Sequence, residues 1–84
     1  MEHKDVGSVE SILSELKEDI TVPKNVRLKI ESVIFMLKEK SELQIKVSKA
    51  LNELEEIADD VNLQAYTRTQ IWNIISLLEK LNEA

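Results

Sequence analysis

Carboxylates at helical spacing are the side chains of this chain with the greatest capacity for chemistry. Glu15, Glu18 and Asp19 form one group, and Glu56, Asp59 and Asp60 form a second with the same internal spacing. Oxygen ligands from two helices suit Mg²⁺ or Mn²⁺, and an ion so held can polarise a phosphoryl oxygen or activate a water. That arrangement would serve a divalent-metal-dependent hydrolase of the nucleotide-pyrophosphate type. The competing reading is two solvated helix faces, the ordinary role of charge runs on helices. Leu13 and Leu16, with Leu54 and Ile57, define apolar stripes that turn several of these carboxylates toward water. The solvated reading is preferred, and no metal or cofactor is expected.

Other catalytic equipment is sparse. Nucleophilic catalysis needs an activated Ser, Cys or Lys beside a base, and His is the usual base. The one histidine, His3, stands in the polar opening MEHKDVGS, where a solvated side chain is expected. There is no Cys, so neither a disulfide nor a cysteine metal site can form. The single Gly, Gly7, excludes a Gly-rich phosphate loop, and no Glu-x-x-His pair of the di-iron bundle type is present. The chain is therefore read as a non-enzyme. Asp19 with Arg27, and Asp60 with Arg68, read as structural pairs. Either an Arg–carboxylate contact, or an Asp cap with the Arg nearby, would set the angle of a helical hairpin.

The elements that must position these groups are helices. Val9, Ile12, Leu13, Leu16 and Ile20 recur at helical spacing. Gly7-Ser8 offers a start signal with Ser8 as N-cap. Pro23 interrupts and opens a second helix striped by Val26, Ile30, Val33, Ile34 and Leu37. Ser41 and Gln44 match a capping box before a third helix that buries Leu43, Val47, Ala50, Leu51, Leu54, Ile57 and Ala58. Asn62 is the expected N-cap of a fourth, carrying Leu63, Ile71, Ile74, Ile75, Leu78 and Leu81. Short loops make consecutive helices antiparallel. The expected organisation is a flexible polar leader over 1–7 and one four-helix domain over 8–84, with hairpins at 8–40 and 41–82.

The chain also matches itself at an offset of 41 positions without a gap. Leu13 falls on Leu54, Asp19 on Asp60, Arg27 on Arg68, Ile30 on Ile71, and Ile34 on Ile75. Two amphipathic helices share apolar positions readily, but a shared Asp-to-Arg spacing points to a duplicated hairpin. A HEAT-like hairpin array is the alternative, since the period is in that range. Two units are fewer than a solenoid needs, whereas closing them into an antiparallel up-and-down four-helix bundle buries all four stripes. The bundle is preferred.

The segments EDITVPKNVRLKIESVI (Glu18 to Ile34) and DDVNLQAYTRTQIWNIISLLE (Asp59 to Glu79) resemble uncharacterised protein family 0147, a group of small archaeal proteins. The resemblance spans nearly all of the chain after the leader, and the TRTQIW run (Thr67 to Trp72) is its most specific part. The Gly- and Ala-rich stretches of some members are missing here. The resemblance implies a compact helical bundle of archaeal cytoplasmic origin, and implies no activity.

Composition narrows the partners. At 84 residues there is room for one core, and 43% hydrophobic residues with one Gly and one Pro argue for packed helices rather than disorder or a turn-rich β-fold. A net charge of −5 argues against nucleic acid and anionic membrane. No apolar run is long enough to span a bilayer, so the cytoplasm is expected. Charge is uneven, −1 over residues 1–40 and −4 over 41–84, with Glu53, Glu55, Glu56, Asp59 and Asp60 the densest patch. On the second helix, Leu28 and Phe35 point away from the main stripe, while Thr69 and Ser76 are their polar counterparts in the fourth. An amphipathic helix of an isolated bundle needs only one apolar face. The surplus pair thus predicts a protein partner or a homodimer face at Leu28 and Phe35, with Trp72 a further contact or a residue at the core edge. The leading expectation is a non-enzymatic interaction or assembly module that self-associates; the metal-dependent hydrolase is the alternative.

Overall fold

The computed structural model describes residues 2–83, with side chains over 7–81. It has four helices: α1 (Glu2–Glu18), α2 (Lys24–Lys38), α3 (Leu43–Ala58) and α4 (Ala65–Glu83). No strand occurs among the described residues, and no helix there is long and apolar enough to cross a membrane. Each helix packs on the next and α1 closes against α4, while the backbones of the diagonal pairs α1/α3 and α2/α4 stay apart, with no Cα atoms within 8 Å among the described residues. The connections, 19–23, 39–42 and 59–64, are too short for anything but antiparallel neighbours. The result is the expected all-α four-helix bundle. Closure of α1 on α4 makes it a ring of four helices rather than an open hairpin array.

The core is one apolar cluster drawn from all four stripes. Leu13, Ile30, Leu54 and Ile71, one from each helix, are wholly buried. Val22 and Leu63 extend the cluster from the connections ahead of α2 and α4. No cysteine supports it, so burial of apolar area carries the stability.

The connections after α1 and α3 are superimposable in their hydrogen bonding at the offset of 41. The N–H of Asp19 donates to the carbonyl of Leu16, and that of Asp60 to Ile57, both at 3.1 Å. Val22 to Asp19 and Leu63 to Asp60 match, again both at 3.1 Å. Each Asp Oδ1 then accepts the N–H two residues on, Thr21 or Asn62, at 2.9 Å. Arg27 N–H to the Pro23 carbonyl and Arg68 N–H to the Gln64 carbonyl, both 2.9 Å, open the following helices. A side chain that mimics a backbone turn explains why both positions carry Asp.

Several expected boundaries differ. Helix α1 begins at Glu2, so Ser8 lies inside the helix and is not an N-cap, and residues 2–7, expected as a leader, have helical backbone. A mid-helix Gly costs about 1 kcal/mol but does not stop a helix, and a Cβ at Gly7 would meet nothing within 4 Å. The side chain of His3 lies outside those described. Helix α3 starts at Leu43 with Glu42 at the N-cap and no side-chain cap, so the Ser41/Gln44 capping box does not form. Asn62 is likewise not an N-cap: the Asp60 carboxylate engages its N–H inside the turn, and α4 starts only at Ala65. Ile20, assigned to the buried stripe of α1, is 87% exposed, because α1 ends at Glu18 and helical spacing no longer predicts a face beyond it.

Candidate functional site

The two acidic groups sit at the C-terminal ends of α1 and α3, which occupy opposite corners of the bundle. Each is engaged locally. Asp19 Oδ1 accepts from the Thr21 hydroxyl at 2.7 Å and from the Thr21 N–H at 2.9 Å. These bonds, the hydroxyl first, hold its carboxyl below the usual 3.8. Asp60 Oδ1 accepts from Asn62 N–H, and its Oδ2 lies 3.5 Å from Asn25 Nδ2 at the start of α2. Glu56 pairs with Lys29 at 3.9 Å, while Glu15, Glu18 and Asp59 are exposed. Among the described residues, no three His, Cys, Asp or Glu side chains converge to hold a metal ion. Sharing an end of the bundle did not bring the groups together, because parallel helices of a four-helix ring are diagonal.

The Asp/Arg positions behave differently in the two hairpins. Arg68 donates from Nε to the Ala58 carbonyl at 3.0 Å and from a terminal nitrogen to the Asp60 carbonyl at 2.8 Å. It thereby satisfies the Ala58 carbonyl, which ends α3 without a helical partner, and adds a second donor to the Asp60 carbonyl in the turn. The contact with Asp60 runs through backbone, not carboxylate. Arg27 is partly buried, its Nε is sealed from solvent, and that atom has no hydrogen-bond partner. No hydrogen bond or ion pair joins Arg27 to Asp19 among the described residues.

Leu28 and Phe35 are 57% and 76% exposed, facing away from the buried stripe of α2. They border two adjoining depressions along α1 and α2. One of about 310 Å³ is lined by Lys17, Lys24, Arg27, Leu28 and Glu31. The next, of about 320 Å³, shares Lys17, Leu28 and Glu31 and continues to Phe35 and Lys38. Trp72 is half exposed on α4 and lines neither depression.

Two features escaped the sequence reading. Ile20 and Val61, matched at the offset of 41, both project from turns almost fully exposed. Thr67 is buried where its counterpart is Val26, and the internal match is the signal that could have shown it.

Taken together, this is a small all-helical bundle that displays an apolar and basic groove, with its carboxylates spread over separate turns and faces. The chain belongs to the uncharacterised protein family UPF0147, whose model matches residues 2–81. It is 41% identical over 71 residues to UPF0147 protein MJ1419 of Methanocaldococcus jannaschii, covering 83% of this chain and 76% of that one. It is 40% identical over 74 residues to UPF0147 protein Ta0600 of Thermoplasma acidophilum, covering 87% and 84%. Among solved structures, the crystal structure of unknown function protein MMP1188 superposes with a TM-score of 0.84 at 38% identity, covering 89% of this chain and 86% of that one.

Proposed function

We propose that this chain is a non-enzymatic helical interaction module of the archaeal cytoplasm that self-associates through the outward face of α2. The observation that carries the reading is the exposure of Leu28 and Phe35, two turns apart on a helix whose other face is already buried. Burying such a pair against another chain adds about 25 cal/mol per Å² of apolar area, useful to a core this small. A second copy also offers complementary charge. Lys17, Lys24 and Lys38 flank the apolar pair, and Glu53, Glu55, Glu56, Asp59 and Asp60 give α3 and its turn the opposite sign. The matched turns support an origin by duplication of one hairpin, and the net charge of −5 disfavours nucleic acid as a partner. Sedimentation of the wild type beside a Leu28→Glu/Phe35→Glu double variant tests the reading. A wild type heavier than 9.7 kDa and a variant at the monomer mass are expected. Identical monomer masses would end it.

A further inference from the structure

The two hairpins share an arginine at the same place, yet only one of these arginines is spent on the fold. Around Arg68 stand Ala58 and Ala65; at the corresponding positions around Arg27 stand Lys17 and Lys24. Arg68 caps α3, whereas the Arg27 side chain makes no hydrogen bond or ion pair among the described residues and lines, with both lysines, a depression of about 310 Å³. Three cations there meet a single carboxylate, Glu31, which lies 3.9 Å from Lys17. This is a local reversal of sign on a protein of net charge −5.

We infer that this depression is a binding site for the phosphate group of a small ligand, held by Arg27 with Lys17 and Lys24. A guanidinium presents donors in a planar fork that fits phosphate oxygens, and ammonium groups add mobile donors around it. The Arg27 guanidinium has no protein acceptor among the described residues, so phosphate oxygens in the depression that meet its terminal nitrogens add charge-assisted hydrogen bonds without displacing any. The volume is at the lower end for small-molecule sites. The adjoining depression of about 320 Å³ leads from Leu28 to Phe35, so an apolar or aromatic body attached to the phosphate has a surface to lie on. The site does not depend on self-association, since its cations come from one chain.

The test is titration of the full chain with inorganic phosphate and with phenyl phosphate, followed by calorimetry and by amide shifts of α2. Saturable binding is expected in the wild type and in Arg68→Gln. It should weaken at least about tenfold in Arg27→Ala and in Arg27→Lys, which keeps the charge but loses the fork. Phenyl phosphate binding tighter than inorganic phosphate, with the gain abolished in Phe35→Ala, assigns the site to a phosphomonoester. Equal affinities that depend on Arg27 assign it to free phosphate. No saturation at millimolar ligand, or binding that survives Arg27→Ala unchanged, overturns the site. Because the same lysines and apolar pair form the proposed self-association face, the titration is run at a concentration where sedimentation shows the monomer, which keeps ligand binding separate from whether Leu28 and Phe35 mediate self-association.

Discussion

Arg68 reaches back from the first turns of α4 to donate its Nε to the Ala58 carbonyl at 3.0 Å, closing the connection 59–64 over the end of α3. The last carbonyls of a helix have no partners within it, and a cation there also complements the helix dipole. Arg27 stands at the same place in the first hairpin and makes no equivalent bond from Nε. Two chemically identical residues in matching turns therefore carry different energetic roles.

Arg68→Ala should lower stability by about 1–3 kcal/mol, since it removes two charge-assisted bonds and leaves the Ala58 carbonyl unpaired. Arg27→Ala should cost less than about 1 kcal/mol, because the atom it deletes is an unpaired buried donor. Urea midpoints of the two variants measure the asymmetry, and equal losses would refute it.

The Asp19 carboxylate predicts a pH dependence with a definite sign. Its pKa is lowered in the fold by the Thr21 hydroxyl and N–H, so the folded state binds protons less readily than the unfolded chain. The contribution is present above the usual 3.8 and is lost as pH falls through the lowered folded value. Asp19→Asn keeps an acceptor oxygen and loses the charge. Its melting temperature should fall below that of the wild type at neutral pH and converge with it in acid. A gap of constant size across the titration would contradict this.

Ile30 and Ile71 are wholly buried at matching positions of α2 and α4. Ile30→Val and Ile71→Val should each cost about 0.5–1.5 kcal/mol, by loss of one methylene from a packed core. Chemical denaturation reads both, and a neutral effect at either site would show that the layer is not packed as described.

The ion pairs Lys29–Glu56, Lys17–Glu31 and Lys49–Glu39 all stand at 3.9 Å between exposed side chains. Solvent screening leaves such pairs little net energy. Glu56→Gln should shift stability by less than about 0.5 kcal/mol, and the shift should shrink further in salt. A loss of several kcal/mol would assign Glu56 a role that its exposure does not explain.

Helix number, faces and core were legible from residue spacing, because burial of a stripe is a property of sequence period. The ends were not. Ser8, Ser41 and Asn62 have the side chains of good N-caps, but capping depends on backbone angles that neighbouring turns decide. Asn62 is held inside the turn by its N–H bond to the Asp60 carboxylate, and α4 starts three residues later at Ala65. Ile20 fits the α1 stripe in number and lies outside it in space, since the helix has already ended at Glu18.

What the sequence determined by itself is an all-α bundle of four stripes, an excess apolar pair at Leu28 and Phe35, and an Asp and an Arg recurring at an offset of 41. Each of these follows from local periodicity or from direct comparison of residues. Only the tertiary structure decided that the two carboxylate groups fall on diagonal helices, that Arg68 bonds to carbonyls rather than carboxylate, and that Arg27 is left without a partner at Nε. Those outcomes depend on which helices become neighbours around the ring and on how each turn directs a long side chain. Spacing along one chain does not encode either directly.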